Sequence, residues 1–120
     1  MSKTLKQIEL MAELSLLERE TERLMAVFDS LIAGNQMNAG GVVATEDAVF
    51  SHVMTYKRIM FDLIRSGVEL TDEGVNRCLG ALFVLMRFMK DIQPAADRAR
   101  AEVAAVEAAA KSQQEVIGLH

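Results

Sequence analysis

The side chains able to bind a metal or move a proton are few and scattered. There are two histidines, His52 and His120, one thiol, Cys78, and two acid pairs spaced one helical turn apart, Glu9 with Glu13 and Glu18 with Glu22. A structural zinc site draws four ligands from clustered Cys and His residues, and these three do not supply them. A carboxylate-bridged metal site in a helical bundle adds a Glu-x-x-His pair on a facing helix, and the sequence has none. The acid pairs therefore read as a solvated helix face. No metal and no cofactor is expected.

A phosphorelay histidine sits exposed on a bundle helix with a Lys three residues later, whereas His52 is followed by Val53-Met54-Thr55, with Lys57 and Arg58 farther on. The glycines of "GNQMNAGGVVA", residues 34–44, lack the Gly-Lys-Ser/Thr ending of a phosphate-binding loop. That stretch reads as a connector. Residues 56–82 suggest two helices meeting at a short Gly-containing turn, as in a helix-turn-helix. The second of them opens with Asp72-Glu73, acids where a recognition helix would approach phosphates, and then turns almost wholly apolar. Direct nucleic-acid binding is therefore the alternative reading, as a transcriptional regulator, and not the preferred one. Nothing in the sequence points to an enzyme.

What remains to be presented is surface, and the hydrophobic periodicity says which elements present it. Leu10, Leu14, Leu17, Leu24, Phe28 and Leu31 alternate steps of four and three, with Thr21 in the vacant position, predicting a helix over 3–33 that stops at Gly34-Asn35. Pairing of this helix in parallel with its own copy would set Glu13 against Glu18, so packing within a bundle, or antiparallel self-association, is favoured over a parallel coil. Thr45-Glu46-Asp47 predicts an N-cap and first turn for a second helix over 45–66. It carries one stripe of Val49, Val53, Tyr56, Met60 and Leu63, and beside it another of Phe50, Met54, Phe61 and Ile64, wide enough for two neighbours.

Thr71 is the expected cap of a third helix over 71–92, with Leu70 placed to pack back on Val75. The lone proline, Pro94, predicts a break or kink near 93–94 before an Ala-rich fourth helix over 94–116, whose seam includes Ile92, Ala96, Ala99, Val103, Val106 and Ala110. No segment alternates with period two. The expected fold is thus a single all-α domain over 1–120, a bundle of four main helices joined through the 34–44 loop.

Residues 78–89, "CLGALFVLMRFM", are apolar around almost the whole helix circumference. Twelve residues of helix span about 18 Å, against ~30 Å of bilayer hydrocarbon, so a membrane span is not expected. A four-helix monomer does not surround any one member, and contiguous exposed apolar surface marks an interface. Self-association as a homodimer through helices three and four follows as the expectation. The candidate surface residues are Met54, Lys57 and Arg58 on helix two, Leu82, Leu85, Met86, Arg87, Met89 and Lys90 on helix three, and Val103 and Val106 on helix four.

Composition agrees with a folding chain that binds protein. Of 120 residues, 51% are hydrophobic and 25% charged, with seven Gly and one Pro, and the net charge is −4 with no basic block. One cysteine in an apolar run excludes an internal disulfide and fits a reducing, cytoplasmic setting, and Glu9 and Glu13 interrupt what would be a signal-peptide apolar region. The expected function is a small binder of bacterial or phage type: an inhibitor, immunity protein or secretion-chaperone-like adaptor, acting on itself and on another protein.

Overall fold

The computed structural model describes the backbone of residues 3–33 and 38–118, and the side chains of 3–30 and 38–114. Among the described residues it is all-helical, with three helices where four are expected: α1 (Leu5–Ala33), α2 (Ala39–Arg65) and α3 (Glu73–Gly118). The Gly34-Asn35 stop lies outside the described residues.

α1 opens with a capping box: Gln7 N–H donates to Thr4 Oγ1 (3.2 Å) and Thr4 N–H to Gln7 Oε1 (3.1 Å). Gln7 Nε2 also donates to the carbonyl of Ser66 (3.0 Å), fixing the start of α1 to the end of α2. α2 begins earlier than Thr45. Asn38 is its N-cap and accepts from Gly41 N–H (2.8 Å), while Thr45 lies inside the helix with its hydroxyl on the Gly41 carbonyl. Val42 and Val43 thereby extend the helix through most of the expected loop. α2 ends in a Schellman arrangement, with Gly67 N–H on Ile64 O and Val68 N–H on Leu63 O, and Gly67 takes the positive φ of 100° that this closure demands.

The cap of α3 is Asp72, not Thr71: its carboxylate accepts from Gly74 N–H (2.9 Å). Leu70, expected to pack back on Val75, is largely exposed, while Val75 is buried in the core. The break at Pro94 is also absent, and the predicted third and fourth helices are one helix of 46 residues. Proline removes one backbone hydrogen bond and crowds the carbonyl four residues back, at a cost of roughly 3 kcal/mol. Continuity prevails because Ile92, Ala96 and Ala99 on either side of it are buried on one face while Pro94 itself points to solvent.

α2 runs antiparallel to both neighbours, and α1 and α3 run parallel to each other. Gln7 meets Ser66 and Thr21 meets His52 along the α1–α2 seam. Gly74 lies against Leu63 at one end of the α2–α3 seam, and Arg100 is paired with Glu46 at the other. The core is formed by Leu10, Leu14 and Leu17, by Val49, Val53, Tyr56, Ile59 and Leu63, and by Val75, Cys78, Leu82 and Leu85. Phe28 and Phe88 close it between α1 and α3 in an edge-to-face pair at 4.7 Å. Gly74 sits at a close approach: a Cβ there would lie 2.6 Å from Met11 Sδ and 2.9 Å from Leu63 Cδ1, so those side chains would have to shift to admit one.

The result is long and thin. α3 is about 69 Å long at ~1.5 Å per residue and α2 about 40 Å, so the last turns of α3 run on past the start of α2. The extents are 72 × 34 × 19 Å and the radius of gyration is 19.6 Å, against about 14 Å for a compact chain of this length.

Candidate functional site

The polar groups that could do chemistry are used to join helices. Thr21 donates its hydroxyl proton to the Leu17 carbonyl (2.8 Å), so its oxygen accepts from Tyr56 Oη (2.9 Å) and, in the tautomer that carries the proton on Nδ1, from His52 (3.3 Å). Thr21 thus fills the vacant position of the leucine seam with a buried hydrogen-bond node. His52 is half-buried beside it. Arg77 holds Glu18 through Nε (3.2 Å) and a second nitrogen, and reaches Ser15 Oγ (3.2 Å), a bidentate link between α3 and α1 that favours the charged guanidinium. Arg58 pairs with Glu13 across α1–α2 and with Asp62 on its own helix.

Burial pushes the Cys78 thiol up to about 11, so it is a protonated core residue at neutral pH. Burial also raises Tyr56, opposed in part by its hydrogen bond to Thr21. Among the described residues no group of three or more His, Cys, Asp or Glu is arranged to hold a metal, and no buried side-chain polar atom lacks a partner. Among them too, no helix is long and apolar enough to cross a membrane.

The unusual feature is apolar. On α2, Phe50, Met54 and Phe61 are each half exposed or more, and on α3 Leu79 (46%), Phe83 (81%) and Met86 (57%) are likewise uncovered. Both sets have the same spacing: 50, 54, 57, 61 and 79, 83, 86, 90, steps of four, three and four that keep one helix face. The third position on α2 and the fourth on α3 are Lys57 and Lys90.

α1 binds α2 through His52, Tyr56 and Arg58, and α3 through Arg77 and Phe88. At 100° per residue the two exposed stripes lie on the opposite side of their helices from His52 and Tyr56 and from Arg77 and Phe88. They therefore run side by side on the face away from α1, at about the same level, because the Leu63–Gly74 and Glu46–Arg100 contacts fix the α2–α3 register. As its wide apolar face leads one to expect, α2 contacts two neighbours, α1 and α3, and Ile64 of its second stripe packs on the core, but Phe50, Met54 and Phe61 stay about half exposed. The face is edged by Lys57, Arg87 and Lys90 with Asp91, a cationic rim on an acidic chain.

Of the residues expected on the surface, Met54, Lys57, Met86, Arg87 and Lys90 belong to this face or its rim. Leu82 and Leu85 do not: both are buried in the core against α2, because they fall on the inner side of α3. Met89 is half-buried against the same core. Arg58 is exposed but turned to α1 by its ion pair with Glu13. Val103 is half-buried and Val106 exposed beside Ala39 and Gly40, at the level where α2 begins. The residues passed over were Phe50 and Phe61, assigned to internal packing, and Leu79 and Phe83, not singled out within the apolar run. Their 4-3-4 spacing was the available signal.

The pair α2–α3 is a long antiparallel hairpin in contact from Leu63–Gly74 to Glu46–Arg100, unlike the steeply crossed pair of a helix-turn-helix. Comparison with protein-family models, with curated proteins and with solved structures finds no match.

Proposed function

We propose that the chain is a non-enzymatic protein–protein interaction module that works through the face formed by α2 and α3, and that it self-associates there as a homodimer. The observation that carries the reading is the face itself: six large apolar side chains at heptad spacing on two adjacent helices, each left about half exposed or more by the described residues. Fully burying an exposed side chain of this size is worth about 1.5–3 kcal/mol, and for most of these six about half of that surface remains to be covered. Such a surface is rare on a monomer and common at an interface. The interhelical ion pairs and hydrogen bonds support it, since Gln7, Thr21, Arg58 and Arg77 join α1 to α2 and α3 and so fix the two helices that carry the face.

A small inhibitor or adaptor that binds a second, different protein is the wider class to which this reading belongs, with its lone buried thiol suited to a reducing cytoplasm. The test is to place a charge on the face. Phe83→Glu should leave the helical circular dichroism unchanged and convert a dimer to a monomer in size-exclusion chromatography with light scattering. A Phe83→Glu chain that keeps the mass of the unmodified dimer would overturn the assignment of this face.

A further inference from the structure

We infer that the second copy docks antiparallel along α3 about a dyad between Gln93 and Pro94, so that the alanine-lined half of each α3 lies on the apolar half of the other; the inference rests on the self-association proposed above. Eighteen residues are five full turns of an α-helix. Asp97, Ala101, Ala104 and Ala108 therefore occupy the same face of α3 as Leu79, Phe83, Met86 and Lys90, five turns farther on. All four are exposed, and beyond Glu107, which lies with Val106 beside Asn38, Ala39 and Gly40, the helix passes the start of α2.

Reversing one helix against the other matches the two sets level by level. Leu79 meets Ala108, Phe83 meets Ala104, Met86 meets Ala101, and Lys90 meets Asp97, each twice because the contact is isologous. Large side chains thus face small ones, which lets the helix axes approach closely, and the cation at the end of one set faces the acid at the start of the other. Asp97 has room for this: Gln93 (2.9 Å) and Arg100 both bond to its Oδ1, and Oδ2 meets no described partner.

Other pairings lack this complementarity. A parallel α3 pair sets Phe83 on Phe83 and Lys90 on Lys90. An antiparallel α2 pair sets Met54 against Lys57 with no acid in the stripe. In the α3 register the incoming alanine half lies beside the α2 stripe as well, shielding Met54 and Phe61.

Cross-linking reads the register directly. In a Cys78→Ala background, the double variant Met86→Cys/Ala101→Cys should form disulfide-linked dimers under mild oxidation. Residues 86 and 101 are about 22 Å apart along their own helix, too far for a bridge within one chain. Met86→Cys/Lys111→Cys, about 15 Å off the register, should not link. Charge exchange is the second measurement: Lys90→Glu or Asp97→Lys alone should raise the dimer Kd roughly five- to tenfold, two contacts per dimer being reversed, and the double exchange should restore it.

The outcomes separate. A chain that is dimeric but does not link through 86 and 101, or that links through Met86→Cys alone as a parallel pair would, overturns the register and leaves self-association standing. A monomer overturns both.

Discussion

At Thr21 a break in a leucine seam turns out to be where the polar organisation of the core starts. Its hydroxyl joins Leu17, His52 and Tyr56, and with Gln7 on Ser66 and Arg77 on Glu18 it sets the levels at which α1 meets the other helices. The vacancy itself was legible in the sequence; its partners were not, because they lie 31 and 35 residues away and depend on the α1–α2 register. Cys78 and Tyr56 add a pH dependence. An unfolded thiol ionises near 9.0, but the folded one holds its proton to about 11, so the unfolded chain binds fewer protons in that interval. Stability must fall as pH rises from about 9 towards 11, and the raised Tyr56 extends the fall above 10. The melting temperature of the chain should drop between pH 8 and pH 10.5, and Cys78→Ala should flatten the drop. A Cys78→Ala profile parallel to that of the unmodified chain would contradict the assignment.

Among the elements, the helical faces were readable and the boundaries were less so. The Leu10-Leu14-Leu17 seam and the Val49-Val53-Tyr56 stripe are core as their spacing requires, since periodicity reports a face that must be covered. Caps are decided by which side chain reaches a free backbone N–H. Asn38 and Asp72 do so, ahead of Thr45 and Thr71, which stand at equally plausible positions in sequence. Pro94 is expected to break or kink the helix because its local cost is large, but the helix is unbroken, with Ile92, Ala96 and Ala99 buried on one line across it. Replacing an interior proline removes that cost, whereas replacing a proline at the first position of a new helix does not. Pro94→Ala should therefore stabilise the chain by about 1–3 kcal/mol in denaturant titration. No change, or a loss, would mean that the helix is broken there.

On the scale of the whole molecule, three helices occupy the places of a bundle that has room for a fourth. Periodicity pointed to an apolar excess on helix three beyond what its own chain covers, but not to its continuation across α2 through Phe50, Met54 and Phe61, because that depends on α3 continuing as one helix past Pro94 instead of folding back. Had the chain turned there, the alanine-rich segment would have been free to cover Phe50, Met54, Phe61 and Phe83 within one molecule. As one helix, it carries its alanines outward, and no described residue closes over the face. The most direct test of this account is the mass of the unmodified protein by light scattering over a wide dilution series. The account predicts twice the chain mass of 13.2 kDa at high concentration, falling towards it on dilution or held throughout by a tight dimer. A mass of 13.2 kDa at every concentration would contradict it.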